Sequence, residues 1–323
     1  MHNVRRVQQQ ALSAEAIAAK REQELKSLET YKGFENAYLE HVCIYLTQRN
    51  NGDFTSEALE STTALLSLNP EYYSVWNYRR EILLHLFEEA KEESQRVRAR
   101  LLAEDLALTQ QSMRTHPKVY WLWNHRRWCL SMLPNPGTDR DSAQIKWKKE
   151  LALVDMMLNM DARNFMGWNY RRYVIAELAA AMLSCEAPSF PTSLSSDVLN
   201  ADEKQAQLAL AQDELQFTLR KIESNFSNFS AWHYRSKLLP RVWDALALDA
   251  NQRGSEREKG MCTPDLEFEL LQQAMYTDPS DQSIWIYHGW LVAQGMFFFS
   301  HSTHAGNSSS SDSNHYRAKR NGT

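Results

Sequence analysis

Five segments of the chain share one frame around a tryptophan: NPEYYSVWNYRR from Asn69, HPKVYWLWNHRR from His116, DARNFMGWNYRR from Asp161, SNFSNFSAWHYR from Ser224 and DPSDQSIWIYHG from Asp278. The tryptophans are Trp76, Trp123, Trp168, Trp232 and Trp285, spaced by 47, 45, 64 and 53 residues. The underlying unit is about 45 residues, too long for a tetratricopeptide unit of about 34 and suited to a pair of helices of some five turns each. The two long intervals hold LSCEAPSFPTSLSSD from Leu183 and LDANQRGSEREKGMCTP from Leu248, rich in turn formers or charge, which read as inserted loops.

A repeat of this length predicts an all-α fold, a right-handed superhelix (α-α solenoid) of helical hairpins in which stacked units share one core. Composition agrees: Gly is 10 and Pro is 9 of 323 residues, too few for a turn-rich β architecture. Ahead of the fourth tryptophan, Leu208, Ala211, Leu215, Leu219 and Ile222 recur at steps of three and four, the mark of an amphipathic helix. Asn69-Pro70 and Asp278-Pro279 predict the N-terminus of the second helix of each hairpin, the side-chain oxygen capping free N–H groups and the proline tolerated in the first turn. Trp76, Arg79 and Arg80 then share one helix face, where a guanidinium covers an indole or pairs with an acid of the next unit. Residues 1–50 are expected to form an N-terminal helical segment, 51–300 the repeats, and 301–323, rich in Ser, His and Asn, a disordered tail.

Several function classes drop out. The formal charge of −4 gives no global basic field for nucleic acid or an anionic membrane. The four cysteines form no CxxC pair, so neither a zinc knuckle nor a disulfide framework is expected, and none of the ten histidines falls in an HExxH spacing. No run reaches the roughly 18 apolar residues that span a bilayer, and a soluble, cytoplasmic protein without membrane insertion is expected.

Regular tryptophans and arginines at repeat spacing are packing residues, so function is sought where the units differ. Five positions before the tryptophan the series reads Glu71, Lys118, Arg163, Ser227 and Ser280; three before it reads Tyr73, Tyr120, Phe165, Phe229 and Gln282. Lys118 and Arg163 put positive charge near helix N-termini, where the helix dipole opposes it, and an anion held there would explain the placement.

The Asn/Asp-Pro-like opening, the aromatic and the Trp-Asn-Tyr/His-Arg-Arg string together resemble the repeat of protein prenyltransferase α subunits, over about residues 55 to 295. In that family a crescent of hairpins wraps a β subunit that holds a catalytic zinc and the isoprenoid. The resemblance implies transfer of a prenyl group from its diphosphate to a cysteine thiolate, active only with the β subunit, with Zn2+ in that subunit and Mg2+ accompanying the diphosphate as a further candidate. It carries Lys118, in Pro117-Lys118-Val119-Tyr120, over as the diphosphate contact, with Tyr120 beside it as catalytic, and places Asn164 and Phe165 at the substrate rim on the diphosphate side; Arg163 receives no catalytic role.

Within the family, Phe165 in place of the tyrosine usual in CaaX-type subunits, and an opening Met1-His2 followed by a basic, Gln/Glu-rich helix, point to the type II enzyme. That enzyme transfers geranylgeranyl from geranylgeranyl diphosphate to C-terminal cysteines of Rab GTPases presented by a Rab escort protein. His2 becomes a candidate provisional ligand to the β-subunit zinc; no metal site is expected from this chain alone. The absence of immunoglobulin-like or leucine-rich domains matches compact, fungal-like forms. The fifth unit departs from the pattern, with Ile286, His288 and Gly289 where the first three units carry Asn, Arg and Arg. The alternatives are a CaaX-type α subunit shared by farnesyltransferase and type I geranylgeranyltransferase, and a non-catalytic helical scaffold binding peptides on its concave face.

Overall fold

A computed structural model describes residues 14–133, 140–182, 200–245 and 264–294. His2, the two inserted loops and the 301–323 tail lie outside them. The described residues contain eleven α-helices: α1 (Ala14–Asn50), α2 (Ser56–Leu68), α3 (Tyr73–Glu89), α4 (Ser94–Thr115), α5 (Tyr120–Met132), α6 (Arg140–Met160), α7 (Phe165–Ala181), α8 (Ala201–Ser224), α9 (Phe229–Ala245), α10 (Pro264–Thr277) and α11 (Gln282–Ala293). The fold is an α-solenoid built from hairpins. Helices α1–α9 belong to one compact unit, in which α2/α3, α4/α5, α6/α7 and α8/α9 are the four hairpins; α10/α11 is a fifth hairpin in a second unit.

The tryptophan frame is a staple across each hairpin turn. Every repeat indole donates its Nε1–H to the carbonyl six residues back: Trp76 to Pro70, Trp123 to Pro117, Trp168 to Ala162 and Trp285 to Pro279, each at 2.9 Å, and Trp232 to Phe226 at 2.7 Å. In the first hairpin the bond is buried, where the turn carbonyl needs a donor, and in the next three it is partly buried; the indole supplies that donor while filling the core. Trp76, Trp123, Trp168 and Trp232 are all buried, but Trp285 is 50% exposed, so the packing role expected of all five is only half met in the last unit.

The Asn/Asp that opens the frame sits in the turn between the helices. Asn69 Oδ1 accepts the Glu71 N–H, Asp161 Oδ1 that of Arg163, Asn225 Oδ1 that of Ser227 and Asp278 Oδ1 that of Ser280. This corrects the capping expectation: the oxygen reaches the amide two residues on, closing an Asx turn before the helix begins. The helix caps themselves lie three residues further along. Asn164 caps α7 and Asp281 caps α11 through their side chains, whereas Tyr72 and Val119, ahead of α3 and α5, offer none.

Adjacent hairpins are joined by buried arginines. Arg79 reaches back to the Leu59 carbonyl and Thr62 of α2 and forward to Asp105 of α4; Arg126 reaches back to the Leu106 carbonyl and Thr109 of α4 and forward to Glu150 of α6. Arg171 pairs with Asp155 of α6 and Glu214 of α8. Two of these acids also meet the aromatic or histidine of their own hairpin: His125 Nε2 lies 2.7 Å from Asp105, and the Tyr170 hydroxyl donates to Glu150 at 2.9 Å. Of the two expected roles for this arginine, pairing with the next unit is the one found. The indole contact falls to the neighbouring residue, Arg80, whose guanidinium covers Trp128 at 5.5 Å. In α8, Ala211, Leu215 and Ile222 of the expected stripe are buried and Leu208 and Leu219 lie at its margin.

Candidate functional site

The turns preceding α5, α7 and α9 and the first residues of those helices present the side chains in which the repeats differ. Tyr120 and Phe165, each the first residue of its helix, are 46% and 64% exposed, and with Phe229 they line one cleft of about 340 Å3 together with Met166, Arg172 and His233. Large aromatics left in water in successive units are a surface awaiting a partner or an apolar ligand. The Phe229 ring stacks on His233 at 5.8 Å. Arg172 bonds within its own helix to Asn169 at 3.2 Å. Burial, then the charges of Lys237 and Arg172, hold the His233 imidazole below its ordinary range, so it is neutral at neutral pH.

Lys118 stands two residues ahead of Tyr120 with its side chain 71% exposed, and its Nζ lies 3.1 Å from Asp161 Oδ2 in the next turn. Burial alone would raise the Asp161 carboxyl, but the Arg163 N–H and the Lys118 ammonium outweigh it and hold the group below the usual carboxylate range. The anion foreseen beside Lys118 and Arg163 is therefore present in the chain itself, as Asp161.

Asn164 does not face the cleft. It is 1% exposed and both ends of its amide are engaged: Oδ1 accepts the N–H groups of Met166 and Gly167, and Nδ2 donates to the Pro117 carbonyl at 2.9 Å. The structure thus brings Tyr120 and Phe165 together in the cleft lining, sets Lys118 in the turn just ahead of Tyr120, and buries Asn164 in the turn just ahead of Phe165. Gly167, next to the repeat tryptophan, is where α7 closes on α6; a Cβ there would stand 3.0 Å from Leu158 Cδ2. Sequence reasoning overlooked Asp161, Arg172 and His233 as members of this edge. Asp161 was in view as a turn residue, and Arg172 and His233 lie seven and four positions after aromatics in the exposed series, on the same helix face.

One group of potential metal ligands occurs among the described residues, buried Asp105, His125 and Cys129, whose ligand atoms lie within 4.8 Å of one another. It does not fit a cation. Asp105 already holds Arg79 through two oxygens, and His125 uses both ring nitrogens, Nε2 toward Asp105 and Nδ1 accepting Arg80 Nε at 3.2 Å. Burial pushes the Cys129 thiol well up and out of the thiolate form a metal would need.

The frame seen in the structure coincides with a family pattern described as protein prenyltransferase alpha subunit repeat, matched at residues 55–86, 102–133, 147–178, 211–242 and 264–295. The geranylgeranyl transferase type-2 subunit alpha of Schizosaccharomyces pombe is 37% identical over 292 residues, covering 90% of this chain and 71% of that protein. The Candida albicans protein of the same name is 30% identical over 308 residues, covering 92% and 74%. This chain belongs to the protein prenyltransferase α subunits.

The rat type-2 α subunit is 35% identical over 295 residues, which are 91% of this chain and 42% of that longer protein. Of the prenyltransferase frame, the staple and the arginine bridges account for the matched residues as packing; the exposed edge of Lys118, Tyr120 and Phe165 is what packing leaves unexplained.

Proposed function

We propose that this prenyltransferase α subunit works as the α subunit of a type-2 geranylgeranyl transferase, moving geranylgeranyl from its diphosphate to C-terminal cysteines of Rab GTPases. The observation that carries the reading is the alignment with two fungal type-2 α subunits over about nine-tenths of this chain. Relatives of that name favour it over the CaaX-type and scaffold readings.

In this reading a β subunit docks on the chain to form a cytoplasmic heterodimer and contributes the zinc, which would supply a thiolate nucleophile, and Mg2+ would accompany the diphosphate. An escort protein presents the Rab. Lys118 contributes an exposed ammonium, paired with Asp161, just ahead of the aromatic cleft. As the bond to the isoprenoid breaks, negative charge grows on the diphosphate, and a cation aimed there lowers the barrier more than it strengthens ground-state binding. The Tyr120 hydroxyl is the second donor at that edge. Phe165 gives the isoprenoid or peptide an apolar wall. His2 as a provisional zinc ligand remains part of the proposal.

The test is co-expression with a type-2 β subunit and transfer of labelled geranylgeranyl to a Rab ending in two cysteines, with and without escort protein. Escort-dependent labelling supports the reading. Labelling of a CaaX peptide instead, when the other β subunit is supplied, moves the chain to the CaaX class, and failure to bind either β subunit returns it to the scaffolds.

A further inference from the structure

The Pro117 carbonyl is held from two sides. The Trp123 indole donates to it from its own hairpin and Asn164 Nδ2 donates to it from the next, each at 2.9 Å. A carbonyl oxygen has two lone pairs, and both are used here. Because the peptide group is planar, fixing this oxygen also fixes the Lys118 nitrogen and the direction in which Lys118 leaves the turn. The other end of the side chain is tied to the same neighbouring turn, through Asp161 at 3.1 Å.

The arrangement repeats one unit on. Asn228 Nδ2 donates to the Ala162 carbonyl, which also accepts the Trp168 indole, each at 2.9 Å. The turn carrying Asp161 and Asn164 is thereby referred to the turn before α9. It does not extend backwards, because the position matching Asn164 in the second hairpin is Val119, which has no amide to offer the Pro70 carbonyl. The tryptophan staple is common to all five hairpins; the asparagine clamp begins at the turn that carries Lys118.

We propose that Asn164 is a positioning residue for Lys118, its amide clamping the Pro117–Lys118 peptide so that the ammonium is presented at one place on the cleft edge. The inference rests on the leaving-group role given to Lys118 under Proposed function. In this role Asn164 acts by holding the turn rather than on the substrate, and Asn228 supports it from one unit further along. Its value to catalysis is orientation, since an ångström of misplacement is enough to cost up to about 100-fold in rate.

Asn164→Ser separates the clamp from the cap, because serine still accepts from the first amides of α7 but has no donor for Pro117. In the α/β heterodimer, single-turnover transfer at saturating geranylgeranyl diphosphate should slow by about tenfold. The KM for the diphosphate and the affinity for the β subunit should stay within twofold, about the scatter such values carry. In a Lys118→Ala background the same change should do nothing, so the double variant transfers at the rate of Lys118→Ala alone. Asn228→Ser, which leaves the α7 cap untouched, should slow transfer less and should also be silent without Lys118. Multiplying effects in the double variant, or a parental rate for Asn164→Ser, would overturn the inference while leaving Lys118 its role. A parental rate for Lys118→Ala would remove that role, and the inference with it.

Discussion

Arg126 grips Glu150 through two parallel hydrogen bonds, Nε to Oε2 at 2.9 Å and Nη2 to Oε1 at 2.6 Å, across the boundary between the second and third hairpins. Both groups are buried, and the same carboxylate takes the Tyr170 hydroxyl. The first four hairpins are therefore bolted one to the next by charge pairs of which neither partner could stay buried alone. Glu150→Ala leaves a guanidinium in the interior with nothing to neutralise it, and should lower the unfolding free energy by about 3–5 kcal/mol. Replacing both partners by methionine should cost much less than the single change. Urea unfolding of these two variants and the parent, followed by circular dichroism, checks the ordering, and a double variant as unstable as Glu150→Ala would contradict it.

The second bolt is sensitive to acid. Burial first, then the charges of Arg79 and Arg80, push the His125 imidazole down from 6.5 to about 4 against the pull of Asp105. Burial opposes ionisation of Asp105, but its bonds to His125 and Arg79 hold it at about 2. For both groups the unfolded chain takes up protons before the folded one does. Stability is thus lost as pH falls, through His125 between about 6.5 and 4 and through Asp105 below about 4. His125→Tyr, the residue found at this place in the other hairpins, should flatten the upper part of that slope. Melting temperatures from pH 7.5 to 4 decide it; an equal slope in the variant would place the acid sensitivity elsewhere.

Burial sets what each tryptophan is worth. Trp123 is 3% exposed and Trp285 50%, though both staple a turn at 2.9 Å. Phenylalanine at either position removes the indole donor, and at Trp123 it also leaves the interior short of volume. Trp123→Phe should cost about 1–3 kcal/mol and Trp123→Ala about 3–5 kcal/mol. Trp285→Phe should fall within about 1 kcal/mol of the parent, since water replaces the lost donor. Equal losses at the two sites, measured by chemical denaturation, would show that the staple rather than the burial dominates.

The hairpin array was legible because its signal repeats: one tryptophan is ambiguous, and five in the same register, four of them with an arginine three residues on, are not. The acids that receive those arginines were harder to see. Asp105, Glu150 and Glu214 each lie 18 residues before a repeat tryptophan, but in the first helix of the hairpin, where no neighbouring motif draws the eye. The frame's opening Asn/Asp was read as a helix cap because an Asx turn and an N-cap use the same residues. Only the backbone tells them apart. Lys118 stood out as a charge against its helix dipole, yet the compensating Asp161 is 43 residues away in sequence and next to it only in space. Asn164 carried a resemblance to a substrate-side residue, and its burial was not readable from a single frame position.

Lys118 offers the sharpest separation of function from fold. Its side chain is largely in water and its ion pair with Asp161 is a surface one, worth about 0–1 kcal/mol. Lys118→Ala should leave the melting temperature of the isolated chain and its assembly with the β subunit close to those of the parent. Transfer should be slower all the same, because the group lost is one that acts on charge developing in the leaving diphosphate. Lys118→Arg keeps the charge but spreads it over a rigid fork, and should restore part of the rate. Asp161→Asn retains the turn, since the amide oxygen still accepts the Arg163 N–H, while it frees the ammonium. It should weaken the salt dependence of the Lys118 position without loosening the fold. A loss of heterodimer with Lys118→Ala, or equal single-turnover rates in Lys118→Ala and the parent, would rule out the leaving-group role.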